Sequence, residues 1–382
     1  MTERYDVIVI GLGGVGSAAA CHLAVRGKRV LGLERFTPGH DRGSSHGNSR
    51  IIRQAYHENP EYVPLVLRAY ELWERLERDS GSELLCITGG LFVGHENSGV
   101  IRGSVFSAKK HGLAYECLDA AEVRRRFPVF QPRPDDYAVF EAKAGFLRPE
   151  VAVKAHLQIA VQHGATLHFE EPISDWRGTA SGTVRIVTEK GAYESSHLVL
   201  APGAWAPELL RSLVLPLHVR RHVMAWFDPV ADRDLFLPER FPIYIWDTHS
   251  GVVFYGFPAT DGVNGGVKAA IHSGGDVCTA DSIELGISES DIAEIREQLV
   301  EYLPELNGRL LHAATCMYTM TPDENFVVAQ HPEYSGVTIA CGFSGHGFKF
   351  TSVLGEILAD LAIDGSTGYP IEFLSPKRFF QG

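Results

Sequence analysis

The first apolar run of the chain, Tyr5-Asp6-Val7-Ile8-Val9-Ile10, reads as a buried strand, and an Ala-rich helix from about Gly14 to Arg26 follows it directly. A second short run, Arg29-Val30-Leu31-Gly32-Leu33-Glu34, is apolar until it ends in an acid. The polar stretch 37–48 predicts an extended loop, after which residues 62–80 carry Leu65, Ala69, Leu72 and Leu76 at helical spacing. Residues 88–93 are strand-like, 150–163 helical, and Thr166-Leu167-His168-Phe169 leads into alternating segments near 184–187 and Tyr193. His197-Leu198-Val199-Leu200-Ala201 then reads as a buried strand returning to the first sheet, closed by a turn at Gly203. From about Leu217 to Thr315 the pattern becomes a β-rich meander, with Tyr244-Ile245-Trp246 and residues 252–257 as strands. Residues 337–342 resume the buried-strand pattern, and 345–364 predict a glycine-rich entry into a helix bearing Val353, Leu354, Ile357, Leu358 and Leu361.

The turn Gly11-Leu12-Gly13-Gly14-Val15-Gly16 falls where a strand must pass tightly into a helix. In a dinucleotide-binding turn Gly11 makes the bend, Gly13 lets the backbone approach a pyrophosphate, and Gly16 lets helix pack on strand. The helix N-terminus offers free N–H groups and the positive end of its dipole to the phosphates. Glu34 stands where a carboxylate takes the ribose hydroxyls, which argues against a 2′-phosphate. A glycine loop without a ligand has the same spacing; the strand before it, the helix after it and the acid of Glu34 favour the nucleotide. Residues 7–25 carry no charge, yet four glycines, a histidine and the lack of a basic leader speak against a signal peptide or a membrane span.

No repeat and no Gly/Ser/Pro-rich linker divides the chain, so the domains are expected to interleave. At 382 residues there is material for two cores. A formal net charge of −12 gives no electrostatic footprint for nucleic acid or an anionic membrane, so an anionic substrate requires a local basic pocket. The six cysteines, Cys21, Cys86, Cys117, Cys278, Cys316 and Cys341, lack CxxC spacing, which predicts neither a disulfide framework nor a metal site. Without a targeting segment, a reducing cytoplasm is the expected location.

Four further strings narrow the chemistry: Ser44-Ser45-His46-Gly47-Asn48-Ser49-Arg50-Ile51-Ile52-Arg53, Gly266-Val267-Lys268-Ala269-Ala270-Ile271-His272, Thr315-Cys316-Met317-Tyr318-Thr319-Met320-Thr321-Pro322-Asp323, and Gly342-Phe343-Ser344-Gly345-His346-Gly347-Phe348-Lys349. With the N-terminal turn, and in the same order from Tyr5 to about Phe373, they resemble the monomeric sarcosine oxidase and N-methyltryptophan oxidase family of flavoenzymes. The resemblance implies an α/β fold, a Rossmann-type FAD-binding domain with an inserted β-sheet substrate domain of the glutathione-reductase and D-amino-acid-oxidase kind. Segments 1–88, 146–216 and 317–382 are assigned to the FAD-binding domain, and 89–145 and 217–316 to the substrate domain.

The same resemblance assigns roles. Cys316 matches the cysteine joined covalently to the flavin; a buried structural cysteine is the alternative. Arg53 and Lys349 match the binders of the substrate carboxylate, a task suited to a guanidinium fork and a second point charge. Lys268 matches the lysine that promotes reaction with dioxygen, and Arg50 the basic residue on the other flavin face. Tyr318 supplies a nearby hydroxyl, and His272, Tyr255 and Trp246 border the substrate cavity. Ser45 and His46 lie in the loop approaching the flavin, and Gly345, His346, Gly347 and Lys349 return to it.

The expected reaction is oxidation of a secondary amino acid such as sarcosine to an imine, which water hydrolyses to aldehyde and amino acid, with dioxygen reduced to hydrogen peroxide. A monomer is expected, with no nucleic-acid or membrane partner. Alternatives are an FAD-dependent dehydrogenase of a cyclic or glycated amino acid using another acceptor, a nicotinamide dehydrogenase, and a non-enzymatic nucleotide-binding module. The last two leave the Cys-Met-Tyr-Thr string or the cationic set unexplained.

Overall fold

Ile8 and Val9 point to opposite faces of the strand Glu3–Ile10 and both are fully buried, so the strand is covered on both sides. The computed structural model describes residues 3–179, 182–230 and 232–380; positions 1, 2, 180, 181, 231, 381 and 382 of the predicted domain segments lie outside the described residues. Strand Glu3–Ile10 pairs in parallel with Val30–Leu33 on one side and Ala192–Leu200 on the other. Ala192–Leu200 in turn pairs in parallel with Val337–Cys341, so segments far apart in sequence close one sheet. Helix Gly14–Val25 lies on this sheet against helices Pro149–Gln162 and Thr351–Asp364. A Cβ on Gly355 would fall 2.5 Å from the Ala18 carbonyl carbon, so only glycine allows that helix pair its approach.

The second sheet, nine-stranded among the described residues, runs in the order Asp276–Cys278, His218–Asp228, Val267–Ile271, Val253–Gly256, Ile243–Asp247, Gly90–His95, Asp136–Glu141, Glu116–Asp119. Strand Arg309–Met320 pairs antiparallel with His218–Asp228 and carries Cys316 and Tyr318 toward the first sheet. A small sheet joins the two: Arg50–Ile52 and Leu85–Ile87 each pair antiparallel with Gly145–Leu147. No helix among the described residues is long and apolar enough to cross a membrane.

Within the β-rich stretch 217–315 lies helix Glu289–Tyr302, which the sequence pattern does not locate. Its apolar face is only Ile292, Ile295, Leu299 and Tyr302 in a charged stretch, closed at the start by a Ser288/Asp291 capping box. Such a narrow stripe stabilises a helix only once a sheet is present to cover it. Helices Gly99–His111 and Ala120–Arg126 likewise have no counterpart in the sequence reading.

Candidate active site

The glycine turn lines a long cleft with an empty volume of about 1660 Å³. Gly11 has φ +82°, and a Cβ there would stand 2.4 Å from the Ala201 carbonyl oxygen. A Cβ on Gly16 would overlap the Gly11 carbonyl oxygen at 1.7 Å, so Gly16 serves helix-on-strand packing and does not itself line the cleft. At Gly13 a Cβ would meet only Ser45 Oγ, at 3.8 Å, leaving that backbone open to the cleft. Gly14 N donates to Ser45 Oγ at 3.1 Å. Glu34 is buried at the cleft wall, its carboxylate accepting from Leu12 N at 2.7 Å and Phe36 N at 3.0 Å. An open peptide at a helix N-terminus beside a fixed carboxylate fits a dinucleotide, with pyrophosphate at Gly13 and Gly14 and ribose at Glu34.

A smaller chamber, of about 600 Å³ empty volume, adjoins the cleft. Arg50, Tyr318, Gly345 and Phe348 line both, so the reacting end of a ligand in the cleft meets a ligand in the chamber at that wall. The chamber gathers Arg50, Arg53, Tyr255, His272, Tyr318, His346 and Lys349 from five separate stretches of the chain. His57 and Glu58 also line it, and Ile51, Ile245, Val253 and Phe257 supply its apolar wall.

Besides Arg50 on the shared wall, two cations mark the chamber. Arg53 is 1% exposed; Nη1 donates to the Ala55 carbonyl at 3.0 Å, and Nη2 to the Glu58 carboxylate at 2.7 Å. Burial pushes the Glu58 carboxyl up, but Arg53, aided by His57, His346 and Lys349, holds it well below the usual range. Lys349 Nζ donates to the His346 carbonyl at 2.7 Å, and burial together with the Arg53 charge pulls the ammonium down to about 7. His272 is pulled to about 4, and His57 and His346 to about 3, chiefly by burial, so these three rings are neutral at pH 7. Tyr318 and Tyr255 meet hydroxyl to hydroxyl at 3.2 Å, and burial raises both phenols above their usual range.

Lys268 lies behind the wall and lines neither cavity. It is 1% exposed, and Nζ donates to the Gly47 and Ser49 carbonyls at 2.8 and 2.7 Å, 4.0 Å above the Phe257 ring centroid. Burial and the Arg50 charge pull it well below the usual lysine range, with Glu150, Cys316 and Asp261 opposing. His46 is also outside both linings, buried with Nε2 unpartnered and held to about 4 by burial and Arg50. Cys316 is buried with Sγ 3.5 Å from Arg50 Nη2, while its neighbours Met317 and Tyr318 line the cleft. His346 and Lys349 line the chamber and not the long cleft, which moves them from the nucleotide to the substrate side.

Trp246 does not border the cavity, contrary to the sequence reading. On strand Ile243–Asp247, Ile245 faces the chamber, and Trp246 points to the other face, stacked on Phe254 at 5.8 Å and against Tyr302 at 4.6 Å. Alternation puts neighbouring side chains on opposite faces, and the helix carrying Tyr302 decides which face is core. Sequence reasoning does not single out Glu58 or His57, although an acid five residues after Arg53 in His57-Glu58-Asn59-Pro60 is a signal available in the chain. Among the described residues, Asp135, Asp136 and His249 are spaced to hold a metal ion; none of them lines either cavity.

Residues 6–361 match the model of the FAD dependent oxidoreductases. The chain is 52% identical to the monomeric sarcosine oxidase of Streptomyces avermitilis over 99% of this chain and 98% of that one. It is 36% identical to the N-methyl-L-tryptophan oxidase of Yersinia pestis, over 98% of this chain and 99% of the relative. Among solved structures, NikD, an unusual amino acid oxidase essential for nikkomycin biosynthesis, superposes with a TM-score of 0.86 at 26% identity, covering 98% of both chains.

Proposed function

The chain belongs to the FAD dependent oxidoreductase family, with the monomeric sarcosine oxidases and N-methyl-L-tryptophan oxidases, and from that premise we propose that it is a flavin-dependent oxidase of secondary amino acids, sarcosine or another N-methyl amino acid. The observation that carries the reading is the shared wall of Arg50, Tyr318, Gly345 and Phe348, which sets a chamber holding Arg53 and Lys349 against the nucleotide cleft.

In the cleft, lined by Gly11, Gly13, Gly14 and Glu34, a bound flavin would supply the acceptor for the hydride equivalent lost from the carbon next to the substrate nitrogen, with dioxygen as the final electron acceptor. The chain supplies the rest. Arg53 and Lys349 hold the substrate carboxylate, for which Arg53 gives up or shares its contact with Glu58. The neutral His272 and the protonated Tyr255 and Tyr318 place no charge beside the amine, so the neutral amine that the oxidation needs is tolerated there. Ile51, Ile245, Val253 and Phe257 keep water out and limit the substrate side chain. Lys268, close behind the loop 47–49, supplies the positive charge that stabilises negative charge developing on dioxygen. The imine leaves and is hydrolysed by water to aldehyde and amino acid.

Cys316 is the proposed covalent tether of the flavin. A thioether there would need the thiol to lose its proton and a flavin methyl group to lose one hydrogen, with two electrons passed to an oxidant, for which dioxygen, going to hydrogen peroxide, would serve. Acid precipitation of the purified holoenzyme is expected to leave yellow colour in the pellet, and Cys316→Ser to release it into the supernatant. Release from the unsubstituted protein removes the tether from this reading.

The function itself is tested by anaerobic addition of sarcosine, N-methyl-L-tryptophan and L-pipecolate to the holoenzyme. At least one is expected to bleach the flavin and, on admitting air, to yield one hydrogen peroxide per substrate consumed. Bleaching that only an artificial acceptor reverses would replace the oxidase by a dehydrogenase.

A further inference from the structure

The loop that delivers Arg50 is held from both sides by opposite charges. Gly47 has φ +93° and Asn48 φ +65°, two consecutive residues in the left-handed region. A Cβ on Gly47 would stand 2.7 Å from Met224 Cε, so the bend is also tightly packed. The peptide that joins them has its N–H, on Asn48, donating to Glu150 Oε1 at 3.2 Å and its carbonyl, on Gly47, accepting from Lys268 Nζ at 2.8 Å. Carboxylate, peptide dipole and ammonium therefore stand in line, each favourable end to each charge. Glu150 Oε1 also accepts from Gly47 N at 2.6 Å, and Lys268 donates a second time to the Ser49 carbonyl at 2.7 Å.

Glu150 is itself fixed in the first turn of helix Pro149–Gln162, where the helix dipole favours a carboxylate. It is half-buried and contacts no substrate-chamber residue by its side chain among the bonds described. The charged and ionisable groups around Lys268 are Arg50, His46, Glu150, Asp261, His312 and the Cys316 thiol. Asp261 is spent on Asn48 Nδ2 at 3.1 Å and Arg148 Nη1 at 3.3 Å, which leaves Glu150 as the carboxylate acting through the 47–48 peptide.

We propose that Glu150 is a positioning residue for the oxygen half-reaction: its negative charge, delivered through the peptide between Gly47 and Asn48, holds the Lys268 side chain in place. The inference rests on the reading of Lys268 given above. Without the carboxylate, that peptide loses the partner of its N–H and the left-handed bend loses its anchor. Lys268 then keeps its carbonyl partners only as far as the loop stays in place.

The test is stopped-flow kinetics on the holoenzyme, with reduction by saturating substrate and reoxidation by dioxygen measured separately. Glu150→Gln is expected to slow reoxidation about tenfold, as coupled contacts of this kind do, and reduction less than about twofold. The double variant Glu150→Gln/Lys268→Met is expected to reoxidise no more slowly than Lys268→Met alone, because a residue acting through Lys268 has nothing left to act on. Equal slowing of both half-reactions by Glu150→Gln, or multiplicative losses in the double variant, overturns the proposal. So does normal reoxidation in Glu150→Gln when Lys268→Met is slow. If Lys268→Met itself reoxidises normally, the reading of Lys268 is what fails. Should Glu150→Gln not accumulate as holoenzyme, Glu150→Asp replaces it, with the same selective loss expected in smaller measure and the same overturning outcomes.

Discussion

Arg53→Met is expected to lower kcat/KM for an N-methyl amino acid about a thousandfold, mostly through KM, because truncating one side of a buried charge pair costs about 2–5 kcal/mol. Methionine occupies the stem of the side chain and removes both the guanidinium fork and the partner of Glu58. The loss is therefore double. The substrate carboxylate forfeits its bidentate clamp, and Glu58, which Arg53 holds well below the usual carboxyl range, is left to repel that carboxylate or to take up a proton. Adding Glu58→Gln to Arg53→Met is expected to recover part of the affinity by removing the repulsion.

Lys349 would then be the cation left to hold the carboxylate, with Arg50 on the shared wall. In the unsubstituted enzyme its charge is present below about 7 and lost above, so binding of a simple carboxylate such as propionate, which has no amine to titrate, weakens as pH rises through 7. Arg53 is one of the charges that pull Lys349 down, so in Arg53→Met this weakening moves to higher pH. Propionate titrations followed by the flavin spectrum check both statements. An unchanged KM in Arg53→Met, or flat propionate affinity from pH 6 to 9, removes Arg53 or Lys349 from the carboxylate site.

Lys268→Met is expected to slow reoxidation by dioxygen about a hundredfold, the usual cost of deleting a preorganised electrostatic group, and to slow reduction by substrate only a few-fold. Methionine preserves the packing of the lysine stem near the Trp226 and Phe257 rings. What disappears is a buried ammonium whose two hydrogen bonds, to the Gly47 and Ser49 carbonyls, fix it before dioxygen arrives. In so dry a setting a charge acts more strongly than it does in water. Equal slowing of both half-reactions in stopped-flow would instead make Lys268 a brace for the loop that carries Arg50.

The chain by itself determined those features whose cause is local. A strand, a glycine bend and a helix N-terminus follow one another within residues 3–25, and Glu34 ends the next strand, so the nucleotide turn needs nothing remote to be recognised. The strings around Arg53, Cys316 and Lys349 were legible for the same reason: each is continuous in sequence. Tertiary structure alone decided which face of Ile243–Asp247 turns to the chamber, because period-two alternation separates Ile245 from Trp246 and only the packing of Glu289–Tyr302 names the core side. It also decided that Arg53 is already paired with Glu58, that the chamber histidines are neutral, and that Lys268 sits behind the wall. Burial depends on the whole assembly and shifts proton affinities that composition cannot reveal. The line from Glu150 through the 47–48 peptide to Lys268 joins three segments that are neighbours only once the small sheet and the nine-stranded sheet have docked. Periodicity along a chain encodes the faces of its elements, whereas contacts between elements are fixed by how those faces close on one another.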